Sequence, residues 1–362
     1  MQKNLKKGIG IIIIVILLFL GLLAGYQLLL NTSKYDKEVT KILKANNLNK
    51  YLKVYSETLD RTIKENTFDV KYIDEYLKIN YQDHRDFLQN IQKYLEIGYN
   101  GDEINAIYKL SNLNQNKLLT KTKQDFSKYQ NIRNFNVDNL TRYNQYLNLT
   151  GKDIQTVVTH VNLKLDLPVY TNTEEVKDAN STLVIVNKYN YLPENYKPND
   201  LVYLDGAYGN KVPVRAIIKE PFLKLQEAAK KEININLMPS TAFRNELFQT
   251  TLYNNYVASD GVAKADTYSA RPGYSEHQTG LAIDLRNTAL KDVRLTDDDY
   301  EWLENNSYKY GFIIRFPKGK ENITGYQFEN WHIRYVGIDL ATKIHNSKLC
   351  LEEYYDMYLK EY

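Results

Sequence analysis

Apolar residues along this chain change their spacing twice. From Gly8 to Leu30 they run without a charged residue, with Ile, Leu and Val dominant. From Ser33 to about Leu165 they return every three or four positions: Val39, Ile42, Leu43 and Leu48, then Ile73, Tyr76, Leu77 and Ile79, then Phe87, Leu88, Ile91, Tyr94 and Leu95, closed by Gly98. That period lays one apolar stripe along a helix. Asp102 ahead of Glu103–Leu110 predicts a further, capped helix. Phe68, Val70, Ile73 and Tyr76 are echoed by Phe135, Val137, Leu140 and Tyr143, the trace of a repeated helical unit. No proline precedes Pro168, so packed helices are expected here rather than a Pro-rich disordered stalk. His84 and His160 stand alone in this region and read as surface or packed polar residues.

Past Leu167-Pro168 the texture becomes mixed. Strand-like runs at Thr182–Val186, Leu201–Leu204, Ile233–Met238, Leu281–Leu285, Phe312–Phe316 and His332–Tyr335 alternate with helical stretches at Pro213–Lys231, from Arg244, at Asp297–Tyr310 and after Asp339. Helices beside a short antiparallel sheet make an α+β domain. Asp292 and Asp297–Asp299 lack the spacing of a calcium loop, and the latter run suits a helix N-terminus. The expected organisation is a tail at 1–7, a transmembrane anchor at 8–30, a helical region at 33–165 and an α+β domain at 175–362.

The 23 uncharged residues of Gly8–Leu30, at about 1.5 Å each, suffice to cross a hydrocarbon core about 30 Å thick. Lys3, Lys6 and Lys7 precede the run, while Lys34, Asp36, Lys37 and Glu38 nearly cancel after it, which puts the N-terminus in the cytoplasm and the rest outside. A cleaved signal peptide is the alternative. The run exceeds the usual signal core, no Ala-x-Ala site follows, and Tyr26 stands where a lipoprotein box would need Cys. A retained single-pass anchor in the cell membrane is expected.

Charge then narrows the function. The chain of 362 residues carries 47 Lys and Arg against 44 Asp and Glu, and from Gly8 onward the two signs balance. A nucleic-acid binder would carry a basic excess, so none is expected as partner. The single cysteine, Cys350, cannot form an intramolecular disulfide and reads as a small packed residue.

Candidate chemistry gathers in Arg271–Asp284 and Glu329–His332. Only five His occur in the chain; His277 has Asp284 seven positions on, and His332 has Glu329 three before it. Two neutral imidazoles and one carboxylate suit a catalytic zinc that keeps an open coordination position. Glu329 then stands free to take a proton from water. Gly280 permits a tight turn between the ligands, and Leu281–Leu285 reads as a buried strand that holds Asp284.

These residues resemble the D-alanyl-D-alanine carboxypeptidase family of zinc peptidases, the VanY type. The pattern Ser275, His277, Gly280, Asp284, then Glu329, Trp331, His332 is similar to that family's Ser-x-His, Asp and Glu-x-Trp-His. Thr241–Arg244 through Gln249, Tyr310–Pro317, Thr324–Tyr326 and Asn187–Pro193 with Asn199–Val202 match further segments, so the resemblance covers roughly Ser181 to Gly337. Ala242 stands where the family usually has Gly, and Asn330 where it often has Pro.

The resemblance implies one zinc per chain held by His277, Asp284 and His332, with Glu329 as base and Arg244 supporting the developing oxyanion. It also implies substrate contacts from Arg244, Gln249 and Ser275, and peptidoglycan stem peptides as partners. The expected function is a membrane-anchored carboxypeptidase, acting on a DD or an LD bond, that removes the terminal D-alanine from stem peptides. Trp331 reads as structural, and Arg286 and Arg315 as local ion-pair partners. A serine-type enzyme would want Ser-x-x-Lys, which Ser33-Lys34 and Ser127-Lys128 do not supply. A wall- or partner-binding module on the same zinc fold is the alternative outside enzymes, and an intact Glu329 argues against it.

Overall fold

The computed structural model describes Gly21, residues 32–290 and residues 294–362. Apart from Gly21, the expected span at 8–30 lies outside the described residues, as does Asp292. Among the described residues, no helix is long and apolar enough to cross a membrane. The described residues form two compact units, one reaching Asn131 and including Tyr362, the other Ile132–Glu361.

The first unit is helical: α1 Lys37–Ala45, α2 Glu57–Lys64, α3 Ile73–Tyr76, α4 Phe87–Ile97, α5 Gly101–Ile107 and α6 Asn112–Leu118. The predicted stripes face inward, with Val39, Leu43 and Ile91 fully buried and Leu48 left beyond the end of α1. Gly98 stops α4 in the left-handed conformation, φ 105°, which costs glycine little. The cap of α5 is Asn100 and not Asp102. Its side chain accepts from Glu103 N, and the Glu103 carboxylate accepts in return from Asn100 N.

The sequence echo holds as local structure. Asp69 and Asn136 each cap a 3-10 turn, and the hydroxyls of Tyr76 and Tyr143 accept from the N–H groups of those caps at 3.3 and 3.2 Å. The Phe68–Tyr76 and Phe135–Tyr143 rings both stand 6.0 Å apart, tilted by 42° and 44°. One copy belongs to each unit.

The second unit opens with α7 Leu140–Thr150 and α8 Ile154–Asn162, so the helical region expected at 33–165 is shared between the units. Asp356, buried in a π-helical turn at Tyr355–Leu359, accepts from Asn134 Nδ2 at 2.5 Å and from Asn162 Nδ2 at 3.4 Å. A chain begun at Glu175 would strand these bonds, at a cost of about 1–3 kcal/mol. It is expected to unfold several degrees below a chain begun at Ile132, at about 2–4 °C per kcal/mol for a unit of this size. Calorimetry giving equal midpoints would show that residues 132–174 are dispensable.

Two strand expectations and one helix start shift. Thr182–Val186 is not a strand: the carbonyls of Thr182 and Val184 accept from Arg334 Nη2, both at 2.9 Å, in place of a ladder neighbour. β1 Glu174–Glu175 instead pairs in parallel with β2 Asn190–Tyr191. β3 Leu201–Asp205 forms a hairpin with β4 Lys211–Arg215, so Pro213 lies in a strand and the helix, α9, begins at Ala216. Because α9 continues to Ile233, the next strand, β5, moves to Leu237–Thr241.

α10 Glu246–Asp260 is capped by Asn245, which leaves Arg244 in the approach to the helix and not within it. β6 is Ala282–Asn287, followed by α11 Asp297–Asn306 with Thr296 and Asp299 in a capping box, as the acidic run predicts. β7 Phe312–Ile314, β8 His332–Tyr335, α12 Ile338–Ser347 and α13 Leu351–Tyr354 complete the unit, with Cys350 buried at the start of α13.

The sheet runs β5-β6-β8-β7, antiparallel throughout. Phe222 and Leu225 of α9 pack with Leu237, Ile283, Phe312 and Ile333 in its core. Register then places the chemistry: Asp284 on β6 stands opposite His332 on β8 and, through an irregularity between Pro239 and Thr241, opposite Thr241 on β5.

Candidate functional site

Side chains of neighbouring strands in register share a face, so the Asp284–His332 pairing sets two of the three candidate ligands side by side. His277 arrives from a 3-10 turn, Glu276–Thr279, which Gly280 ends at φ 69°. A β-carbon at Gly280 would meet the Arg215 side chain at 3.0 Å, so this position favours glycine on conformation and space alike.

Asp284 Oδ1 lies 3.4 Å from His277 Nε2 and 3.2 Å from His332 Nδ1. One donor atom from each residue falls within 4.8 Å of the others, and all three side chains are buried. Asp284 Oδ1 itself is a buried oxygen that, despite these approaches, makes no well-aligned hydrogen bond among the described residues. A buried carboxylate oxygen left this way is costly unless a cation takes it up. Two imidazole nitrogens and one carboxylate oxygen are also a donor set that fits zinc. The residues present therefore fit a metal.

The outward nitrogens are held as well. His277 Nδ1 stands 2.7 Å from the Ala242 carbonyl, which directs Nε2 to the cluster. His332 Nε2 stands 3.3 Å from Glu276 Oε2, which directs Nδ1 there. Burial, with Arg244 nearby, lowers the His277 pKa to about 4, so this imidazole is neutral at pH 7. Burial opposes the charge of Asp284, but the His277 and His332 imidazoles outweigh it and hold the carboxyl well below the usual range. Burial likewise opposes a charged His332, yet the carboxylates of Asp284, Glu276 and Glu329 raise it well above its ordinary value.

Glu329 and Arg244 flank the cluster. Glu329 Oε2 is 3.4 Å from His332 Nδ1, and its carboxylate is partly open to the cleft. Arg244 Nη1 is 3.4 Å from Asp284 Oδ2, while its Nε donates to Gln249 Oε1 at 3.2 Å. Gln249 also donates from Nε2 to the Ala270 carbonyl at 2.8 Å. Its amide is thus engaged at both ends and holds Arg244 in place. Ser275 lines the cleft beside His277.

The cleft holds about 500 Å³. Its floor carries His277, Asp284 and His332. Its walls are aromatic, from Phe248, Tyr256, Tyr268, Tyr274, Phe316 and Tyr326, with Trp331 beneath the Arg294 guanidinium at 4.4 Å. Such a cleft suits a ligand whose apolar parts lie against the aromatic walls while a few fixed polar groups orient it.

Glu276, between Ser275 and His277, has adjacency to a candidate ligand as its one signal in the sequence. Arg334, two residues after His332, and Glu352 carry none that marks them for the site. Arg315 is the ion-pair partner expected, but fully buried: Nε reaches Glu276 Oε1 at 2.7 Å and Nη2 reaches Glu352 Oε1 at 2.6 Å. Asn330, where the resembled family often has Pro, donates weakly to the Leu295 carbonyl at 3.4 Å. His84 is exposed, and His160 Nδ1 meets the Tyr146 hydroxyl at 3.0 Å, so neither joins the site.

Residues 211–338 match the family model described as VanY, D-alanyl-D-alanine carboxypeptidase. YodJ of Bacillus subtilis (strain 168) is 40% identical over 200 residues, which cover 53% of this chain and 73% of YodJ. A D-alanyl-D-alanine carboxypeptidase of Enterococcus faecalis (strain ATCC 700802 / V583) is 34% identical over 194 residues, 51% of this chain and 69% of its own. Among solved structures, a variant of the D,D-pentapeptidase VanY from a VanB-type resistance cassette, in complex with Zn(II), is 35% identical. That match covers 48% of this chain and 98% of the solved one, with a TM-score of 0.42.

Proposed function

As this chain belongs to the VanY family of D-alanyl-D-alanine carboxypeptidases, we propose that it is a membrane-anchored, zinc-dependent enzyme that trims terminal D-alanine from peptidoglycan stem peptides outside the cell. The observation that carries this reading is the convergence of His277, Asp284 and His332 donor atoms on the floor of a cleft, beside the partly open carboxylate of Glu329.

Zinc bound there would supply Lewis acidity toward the scissile carbonyl. The rest of the mechanism belongs to the chain's own side chains. Glu329 takes the proton of the attacking water and returns it to the leaving amine of D-alanine, a transfer that suits a carboxylate within reach but outside the ligand set. Arg244, fixed by Asp284 and Gln249, meets the developing oxyanion with a guanidinium that stays charged and does not reorient. Ser275 contacts the peptide from the cleft wall, and Gln249 serves the substrate through Arg244. The aromatic walls exclude water and seat the peptide backbone.

Release of free D-alanine from a stem pentapeptide and from the corresponding tetrapeptide tests this, each with and without a chelator. At least one peptide is expected to release D-alanine, and the chelator to stop it. Release that persists after the metal is stripped would overturn the zinc mechanism. Binding of peptidoglycan with no turnover of either peptide would favour the binding module.

The anchor rests on the uncharged run Gly8–Leu30 behind Lys3, Lys6 and Lys7. Protease added to wall-stripped cells is expected to digest the second unit and spare the N-terminal tail. Recovery of that unit only from the cytosol would defeat the proposed topology.

A further inference from the structure

Glu276 has no place in the chemistry described above, yet its carboxylate meets His332, Arg315 and Arg334. It is 4% exposed and sits between Ser275 and His277. Oε2 faces His332 Nε2 at 3.3 Å, while Oε1 accepts from Arg315 Nε at 2.7 Å and from Arg334 Nη1 at 2.6 Å. Burial alone would push this carboxyl up, but Arg315 and Arg334 outweigh it and hold it well below the usual range.

The chain of contacts continues away from the cleft. Arg315 spends its two remaining nitrogens on Glu352, Nη1 to Oε2 at 2.9 Å and Nη2 to Oε1 at 2.6 Å. Glu352 lies on α13, in the last dozen residues of the chain, and is 2% exposed. Arg334 spends its other groups on backbone carbonyls, Nε on Tyr335 and Nη2 on Thr182 and Val184. Two carboxylates and two guanidiniums thus balance in charge inside the unit, with every guanidinium nitrogen occupied.

We propose that Glu276, Arg315 and Glu352 form a buried relay that positions His332 for the metal, with Glu352 of the C-terminal helix as its remote end. This rests on the metal-centre reading above. A carboxylate on the outer nitrogen of a histidine ligand fixes its ring and tautomer and raises the basicity of the inner nitrogen. Here that inner nitrogen is Nδ1, 3.2 Å from Asp284 Oδ1. Glu276 can do this only while its second oxygen is held by the arginines. Arg315 can serve Glu276 through Nε alone only while Glu352 takes up its other face. Neutralising Glu352 leaves the Arg315 charge to fall on Glu276, which weakens Glu276 as the acceptor for His332. These are positioning residues, since none of the three reaches the cleft metal donors directly except through His332.

The test is zinc affinity of the full chain, measured by competition with a chromophoric chelator. Glu276→Gln is expected to raise the zinc Kd about 10- to 100-fold, and Glu352→Gln about tenfold, the range for groups that support a metal ligand from behind. Glu353→Gln is the control: it neutralises the next acid on the same helix, whose carboxylate pairs with Lys320 and accepts from Cys350 N, a cap that glutamine can keep, and it should leave the Kd unchanged. Cobalt(II) bound in place of zinc should show a shifted d–d spectrum in Glu352→Gln and an unshifted one in Glu353→Gln, which a merely stabilising role would not produce. If Glu276→Gln fails to fold, Glu352→Gln decides alone. Wild-type affinity and spectrum in Glu352→Gln would overturn the relay while leaving the metal centre standing. A wild-type protein that takes up no zinc would instead overturn the metal centre, and the relay with it.

Discussion

Replacing Glu329 with glutamine is expected to slow D-alanine release at least about a hundredfold while zinc content and peptide binding stay near wild type. The side chain keeps its length and hydrogen-bonding capacity and loses only the oxygen that can hold a proton. General-base catalysis contributes about 10²- to 10⁴-fold, or roughly 3–5.5 kcal/mol of barrier. Zinc should be retained, because Glu329 lies beside the ligand cluster and is not one of its three members. Its backbone, tied by N–H to the Phe316 carbonyl at 3.2 Å, is untouched by the change. Equal turnover in wild type and Glu329→Gln would show that the base lies elsewhere. Loss of zinc in the variant would show instead that Glu329 is a ligand.

Alanine at His277 or at His332 is expected to strip the site, leaving less than about a tenth of a zinc per chain after dialysis, because two donors do not make a closed or catalytic zinc site. D-alanine release should fall to background in both. A second readout is independent of turnover. A metal that binds the folded state and not the unfolded one stabilises it by about 4 kcal/mol at a thousand times Kd. Wild type should therefore melt at a higher temperature with zinc than with chelator, and the two variants should not respond. Elemental analysis showing unchanged zinc in both variants would defeat the ligand assignment, and a wild-type melting temperature indifferent to zinc would defeat the site.

The site was legible because its chemistry is local. Ser275, His277, Gly280 and Asp284 fall within ten residues, and Glu329 with His332 within four, so residue type and spacing survive without a fold to connect them. Sheet register then joins the two halves, a step that periodicity cannot supply. What escaped was long-range or inward-facing. Arg315 and Arg334 reach Glu276 across 39 and 58 positions, and no sequence period marks such partners. Gln249 looks like a cleft residue by its place five after Arg244, yet both ends of its amide are spent inside. Thr182–Val186 has the composition of a strand, and a buried guanidinium took the place of its ladder neighbour. No division near Asn131 is legible in the sequence, because the helices at 140–162 carry the same 3.6 period as those before them. Long-range bonds, among them those from Asn134 and Asn162 to Asp356, place these helices in the second unit.

The two imidazoles at the floor of the cleft are supported by different kinds of atom. His277 leans on the carbonyl of Ala242, which belongs to the main chain and is present whatever residue occupies that position. His332 leans on the carboxylate of Glu276, which a single codon change can delete. The mutational fragility of the centre is therefore lopsided. Random substitution in the surroundings should yield metal-deficient alleles clustered around the His332 side, reaching as far as the C-terminal helix, and few around the loop that backs His277.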